Sequence, residues 1–100
     1  MTEWLLVVDV SVDKDVERAW NDWYDNEHLP EIVACPGFKS GSRYKVSDGE
    51  TPRYLTVYEV SGPEALKSDE FLSRRGWREF ASHVRPQVNL YERLVRRTAE

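Results

Sequence analysis

The chain has little cysteine: Cys35 stands alone in 100 residues, so no internal disulfide can form. It has no long apolar run. Trp4 to Val8 is far shorter than the ~20 residues that a membrane-spanning helix needs, and no membrane partner is expected. It has no excess of positive charge. The net charge is -4, with both signs spread along the chain, whereas a nucleic-acid binder wants a basic stripe. The pairs Arg74-Arg75 and Arg96-Arg97 are too small and too far apart to make one. The start Met1-Thr2-Glu3-Trp4 shows no basic stretch ahead of an apolar one, so no signal peptide is expected, and the cytoplasm is the expected location. There is no glycine-rich phosphate loop, no serine-centred elbow and no paired-cysteine motif.

What is present is aromatic. Four Trp and five Tyr in a 32% charged chain describe a folding globular sequence rather than a disordered one. The length fits a single domain over residues 1-100. A chain this short buries only roughly 60–65% of its unfolded surface, so a second copy covering an apolar face would widen a thin margin of stability.

Trp4 to Val12 alternates and is rich in β-branched residues, which predicts a strand. Trp4, Leu6, Val8, Val10 and Val12 share one face; Leu5 and Val7 make the other face apolar too. Helices can cover one of these faces and a partner subunit the other. Asp13 to about His28 is expected as a helix capped by Asp13, with Val16, Trp20, Trp23, Tyr24 and His28 at three- and four-residue steps. Pro30 is expected to end or kink it at Leu29. Phe38 to Val46 predicts a second strand, with Ser40, Ser42 and Tyr44 on the side of Phe38. A turn at Ser47-Asp48-Gly49-Glu50 leads into a third strand, Arg53 to Val60. A broken helix is expected from Glu64 to about His83, weakened at Gly76 and stopped by Pro86. Val88 to Arg96 is expected as the last strand. The order β-α-β-β-α-β implies an α+β, ferredoxin-like fold, an antiparallel four-stranded sheet with helices on one face.

The residues Tyr24-Asp25-Asn26-Glu27-His28-Leu29-Pro30, followed by Pro36-Gly37, carry a resemblance. They are similar to the dimeric α+β barrel superfamily, nearest the EthD-like proteins, whose pattern runs Tyr-x-x-x-His-x-Pro at the end of the first helix and Pro-Gly before the second strand. The resemblance, extended by the element order over nearly the whole chain, implies homodimers paired through their sheet faces, with a cavity between sheet and helices. The superfamily's members include cofactor-free monooxygenases, polyketide cyclases, muconolactone isomerases and haem-degrading enzymes.

His28 is the foremost candidate. An imidazole can take a proton in one step and return it in the next; its bland alternative is a cation at a helix C-terminus. Tyr24 is expected beside it as a catalytic hydroxyl. Trp20, Trp23, Tyr44, Tyr58 and His83 are the expected substrate contacts, for which the alternatives are ordinary aromatic packing and, for His83, plain exposure. Arg43 is expected on the sheet face opposite Tyr44, ion-paired across a dimer with Asp9, Glu59 or Glu92. Asp25, Glu27, His28 and Glu31 do not make a metal set, because Pro30 breaks the register between them, and no metal is expected. Trp77 and His83 are spaced too closely for the haem-degrading pattern, and no cofactor is expected. Cys35 is expected as a packed thiol. The expected function is a small-molecule enzyme of this barrel type, a cofactor-independent isomerase, cyclase, lyase or monooxygenase. It would act on an aromatic or keto compound with His28 as acid/base. The alternatives are a non-catalytic small-ligand-binding or accessory protein and a purely structural dimer module.

Overall fold

The computed structural model describes residues 3–47 and 49–99; Asp48 of the expected turn and the residues Met1, Thr2 and Glu100 lie outside them. Four strands form one antiparallel sheet in the order β2-β3-β1-β4. They are β1 (Trp4–Val12), β2 (Phe38–Lys45), β3 (Arg53–Val60) and β4 (Val84–Glu92). The alternation that predicted β1 is the alternation that buries it: Leu6, Val8, Val10 and Val12 are buried on the helical side, while Leu5 and Val7 on the other side are half-buried. This is the expected ferredoxin-like arrangement, with both crossovers on one face.

The first crossover runs without a break from Lys14 to Val33: a 3-10 turn (Lys14–Val16), α1 (Glu17–Trp23), a π-helical turn (Tyr24–His28) and α2 (Leu29–Val33). Of the two expected outcomes at Pro30, an end or a kink, the chain takes the irregular one: a π-turn, with helix continuing beyond it. The Leu29 N–H donates back to the Tyr24 carbonyl, five residues away, and this wider turn relieves the crowding that a proline ring imposes on the carbonyl four residues before it. Asp13 sits at the cap position but its side chain caps nothing; its carboxylate accepts instead from His83 and Arg85.

The second crossover is broken as expected: a 3-10 turn (Pro63–Lys67), α3 (Asp69–Arg74) and a second 3-10 turn (Arg78–His83). The Ser68 hydroxyl caps α3 by accepting from the Phe71 N–H. The last strand begins at Val84, four residues before the expected Val88. Pro86 lies inside it, opposite Val10. It is tolerated because β4 is an edge strand, where a missing N–H can face away from the ladder.

One irregularity decides which side chains of β2 meet the helices. The pairing with β3 slips between Phe38 and Ser40. A bulged residue lets a strand switch faces. Phe38 packs on Tyr58 and Phe71, and after the bulge it is Gly41 and Arg43, opposite Tyr58 and Thr56, that turn to the helices. Ser40, Ser42 and Tyr44 face the open side, contrary to the expectation that they share Phe38's face.

Candidate functional site

A cavity of about 410 Å³ lies between the sheet and the two crossovers. Leu6, Val8 and Val88 line it from the sheet, and Ile32, Leu66 and Phe71 from the helical side. Its chemistry comes from Tyr24, His28, Tyr58, Trp77 and Arg75. Three of the seven expected site residues, His28, Tyr24 and Tyr58, therefore line one cavity.

The π-turn places the first two. Residues five apart point in different directions in an α-helix, whose turn is 3.6 residues. In the widened turn, the His28 ring stacks on Trp23, with centres 4.6 Å apart and planes 18° from parallel. Tyr24 stands edge-on to the same imidazole at 4.9 Å. His28 is only 5% exposed, and its Nδ1 has no hydrogen-bond partner among the described residues. Burial, with smaller contributions from Arg78 and Arg43 against an opposing one from Glu31, pushes its pKa down to about 4. The ring is neutral at pH 7, with one nitrogen ready to accept a proton.

The Tyr24 and Tyr58 hydroxyls hydrogen-bond each other at 3.0 Å. Burial raises both phenols above their ordinary value; for Tyr24, hydrogen bonds from Thr56 and Tyr58 and the Arg43 charge oppose the shift. The pair holds two protons and needs one for its mutual bond, so the second can serve as a donor.

Arg43 lies beneath the helical run, where it was not expected. Its side chain is 10% exposed, and its guanidinium carbon sits 4.2 Å from the centre of the Tyr24 ring and 5.0 Å from that of Trp20. It donates to Asp25 at 2.6 Å and to Asn21 at 2.9 Å. The expected cross-dimer partner Asp9 is held by Arg53 through both carboxylate oxygens. The bulge in β2 is the reason: it rotates Arg43 to the helical side.

The remaining expected contacts lie elsewhere. Trp20 and Trp23 do not line the cavity; they back it, Trp20 against Tyr24 and Trp23 against His28. Tyr44 is 56% exposed on the open sheet face, in a polar depression with Ser40, Glu59 and Arg93. His83 is not a lining residue and pairs with Asp13 at 3.2 Å, so it does not join Trp77 in one site. Asp13, Asp15 and His83 bring ligand atoms within 4.8 Å of one another, but the Arg85 cation already neutralises Asp13. Cys35 is a buried free thiol, raised above its ordinary pKa by burial.

The tryptophan that the cavity does use is Trp77, 6.0 Å from both Tyr24 and His28. It reaches in because the chain breaks there, at Gly76 with φ 114°. Gly76 was the visible signal in the sequence, but it marked a break and not the direction that Trp77 would take.

The sheet order, the crossovers on one face and the cavity between them and the sheet define a ferredoxin-like α+β protein. Residues 3–88 match the family model described as "Domain of unknown function (DUF4286)", and the chain belongs to that family. No curated protein matches it. Among solved structures it is similar to an EthD family protein from Bacillus halodurans, at 10% identity and TM-score 0.67, covering 86% of this chain and 96% of that one. It is similar to a protein described as an antibiotic biosynthesis monooxygenase from Bordetella bronchiseptica, at 14% identity and TM-score 0.73, covering 95% and 100%. It is also similar to SnoaB, a cofactor-independent oxygenase from Streptomyces nogalater, at 14% identity and TM-score 0.73, covering 98% and 97%. At these identities the likeness is one of fold. No helix among the described residues is long and apolar enough to cross a membrane.

Proposed function

We propose that this protein is a small-molecule enzyme that removes a proton from a flat aromatic or keto compound held in the cavity, with His28 as the base. The observation that supports this best is the His28 ring: buried, neutral, unpartnered at Nδ1, and set beside a pair of tyrosine hydroxyls. A base must be within reach of an acidic proton. Hydrogen-bond donors must be aimed at the oxygen that gains charge. The Tyr24–Tyr58 pair supplies the donor, and Arg43 behind Tyr24 favours negative charge at that end. The resulting enolate or phenolate then regains a proton at another carbon, attacks a carbonyl within the same molecule, expels a leaving group or reacts with dioxygen as co-substrate. These steps call on no resident cofactor.

The test is hydrogen–deuterium exchange at acidic C–H positions of a panel of aromatic and β-keto compounds in D2O, followed by NMR. Exchange by the wild type that is lost in His28→Ala supports the reading. Exchange undiminished in His28→Ala removes His28 from the chemistry. A second reading is favoured by one observation: a pKa near 4 makes His28 a weak base. On that reading the cavity binds its ligand without changing it, as an accessory protein would, and the same panel shows binding with no exchange in any compound.

The open sheet face is proposed as the contact with a second copy. Leu5, Val7, Leu55 and Val57 make its centre, and Tyr44 and Tyr91 stay half-exposed there. Sedimentation showing a monomer at micromolar concentration overturns the pairing.

A further inference from the structure

Among the described residues the cavity has one charged side chain on its lining, and it is a cation. Arg75 stands at the rim, exposed to solvent. Arg43, Arg53, Arg78, Arg85 and Arg93 each hold a carboxylate, whereas Arg75 holds none among the described residues. No Asp or Glu among the described residues lines the cavity with it.

The backbone around Arg75 is bent in a way that orients it. The Arg75 N–H donates to the Phe71 carbonyl at 2.9 Å, closing α3. Gly76 follows with φ 114°, and Arg78 with φ 52° is the one described non-glycine residue in the left-handed region. That region is unfavourable for a side chain with a Cβ, and such strain persists where its surroundings over-determine it, often at ligand clamps. Here Arg78 is held by both carboxylate oxygens of Glu31, at 3.2 and 3.3 Å. The outcome is a division of labour among neighbours: Arg75 and Trp77 line the cavity, and Arg78 is turned onto the end of the first crossover. A second polar group waits inside. His28 belongs to the same lining, and its buried Nδ1 has no hydrogen-bond partner among the described residues, so a ligand group that reached it would satisfy a polar atom the protein leaves alone.

We infer that the cavity takes an organic acid: a flat apolar body with a carboxylate that Arg75 binds at the rim, and an oxygen or acidic hydrogen that reaches His28 and the Tyr24–Tyr58 pair. The planar guanidinium matches a carboxylate through two parallel hydrogen bonds. Stacking against Trp77 suits the flat body. This deepens the proposed function and rests on the same cavity being the ligand site.

The experiment uses matched pairs that differ only in charge: benzoate, 2-naphthoate and anthracene-2-carboxylate, each beside its primary amide, titrated against tryptophan fluorescence. In the wild type at least one acid should bind about tenfold or more tighter than its amide. In Arg75→Gln that preference should collapse to within about twofold, and in Arg75→Lys it should fall between, because the charge remains and the fork is lost. Arg18→Gln, the same charge change on an exposed arginine of α1, should keep the full preference. Acid and amide binding equally well overturns the inference and leaves the proposed function standing. A preference that survives Arg75→Gln, or falls equally in Arg18→Gln, also overturns it. Binding of no member of any pair overturns it together with the ligand-site reading beneath it.

Discussion

The His28 imidazole lies flat on the Trp23 indole, five residues back along a π-turn, with ring centres 4.6 Å apart. Burial there has a consequence for stability. The unfolded imidazole takes a proton near pH 6.5, while the folded one resists until about pH 4. The folded state is thus favoured in full above pH 6.5. It loses stability as pH falls from 6.5 towards 4, by roughly 3 kcal/mol at most. Asp9 and Asp13 are held below 3.8, chiefly by hydrogen bonds from Arg53 and Arg85, so their contributions are lost only at lower pH. Urea midpoints compared between pH 7 and pH 4.5 should drop in the wild type and stay nearly level in His28→Gln. An equal drop in both proteins would assign the effect to another group.

The same direction governs activity. A neutral His28 acting as base requires kcat/KM to rise with pH through an apparent pKa near 4 and then level off. A rate that instead declines from pH 4 to 6 would mean that the protonated ring is the working form.

Arg43 and Asp25 form an ion pair with unequal partners. The arginine side chain is 10% exposed and the aspartate 58%. Arg43→Gln removes the cation from the Tyr24 and Trp20 faces and is expected to cost about 2 kcal/mol. Asp25→Asn keeps a polar partner in an exposed position and is expected to cost less than about 1 kcal/mol. Urea denaturation of both variants checks the order; equal losses would place the stability in the ion pair itself.

The Tyr24 and Tyr58 hydroxyls satisfy each other. Tyr24→Phe leaves the buried Tyr58 hydroxyl without this partner and is expected to cost about 1–3 kcal/mol, whereas Tyr58→Phe leaves the Tyr24 hydroxyl its bond from Thr56 and should cost less. Removing both hydroxyls removes the whole Tyr24–Tyr58 bond, so neither ring is left facing an unpaired partner. The double variant should therefore be more stable than the sum of the single losses predicts, by about 1 kcal/mol. Strict additivity would deny the coupling.

Gly41 lies where α2 packs closely on β2. A Cβ there would meet the Leu29 Cδ1 and Val33 Cγ2 at 2.9 Å and the Tyr58 Cδ1 at 3.0 Å. Gly41→Ala should destabilise by about 1–3 kcal/mol through overpacking. Thermal melts of the two proteins test this, and an unchanged Tm would show that α2 lifts from the sheet without loss.

Much of the fold was legible along the chain because strand alternation is local. Trp4 to Val12 and Arg53 to Val60 were both readable to the residue, since each of their side chains declares a face every second position. The motif Tyr24…His28…Pro30 likewise marked where the candidate site lies. Its partners were less legible. Trp20 and Trp23 share the helical face of Tyr24, and position along a helix does not say whether a ring lines a cavity or stands behind it.

By itself the sequence determined the element order, the two-sided apolar β1, and the buried face of the first crossover on which Trp20, Trp23, Tyr24 and His28 lie. Each follows from the periodicity of neighbouring residues. The tertiary structure decided the rest. Pro30, readable as an end or a kink, is carried through by a π-turn, and Pro86 is absorbed because β4 happens to be an edge. A bulge after Phe38 reverses the faces of β2 and sends Arg43 beneath Tyr24 while turning Tyr44 away. A glycine break brings Trp77 into the cavity lining and leaves Arg75 at its rim. These outcomes depend on backbone hydrogen bonds and packing between segments far apart in the chain, such as Tyr58 with Tyr24 and Arg78 with Glu31, and no local pattern encodes contacts of that range.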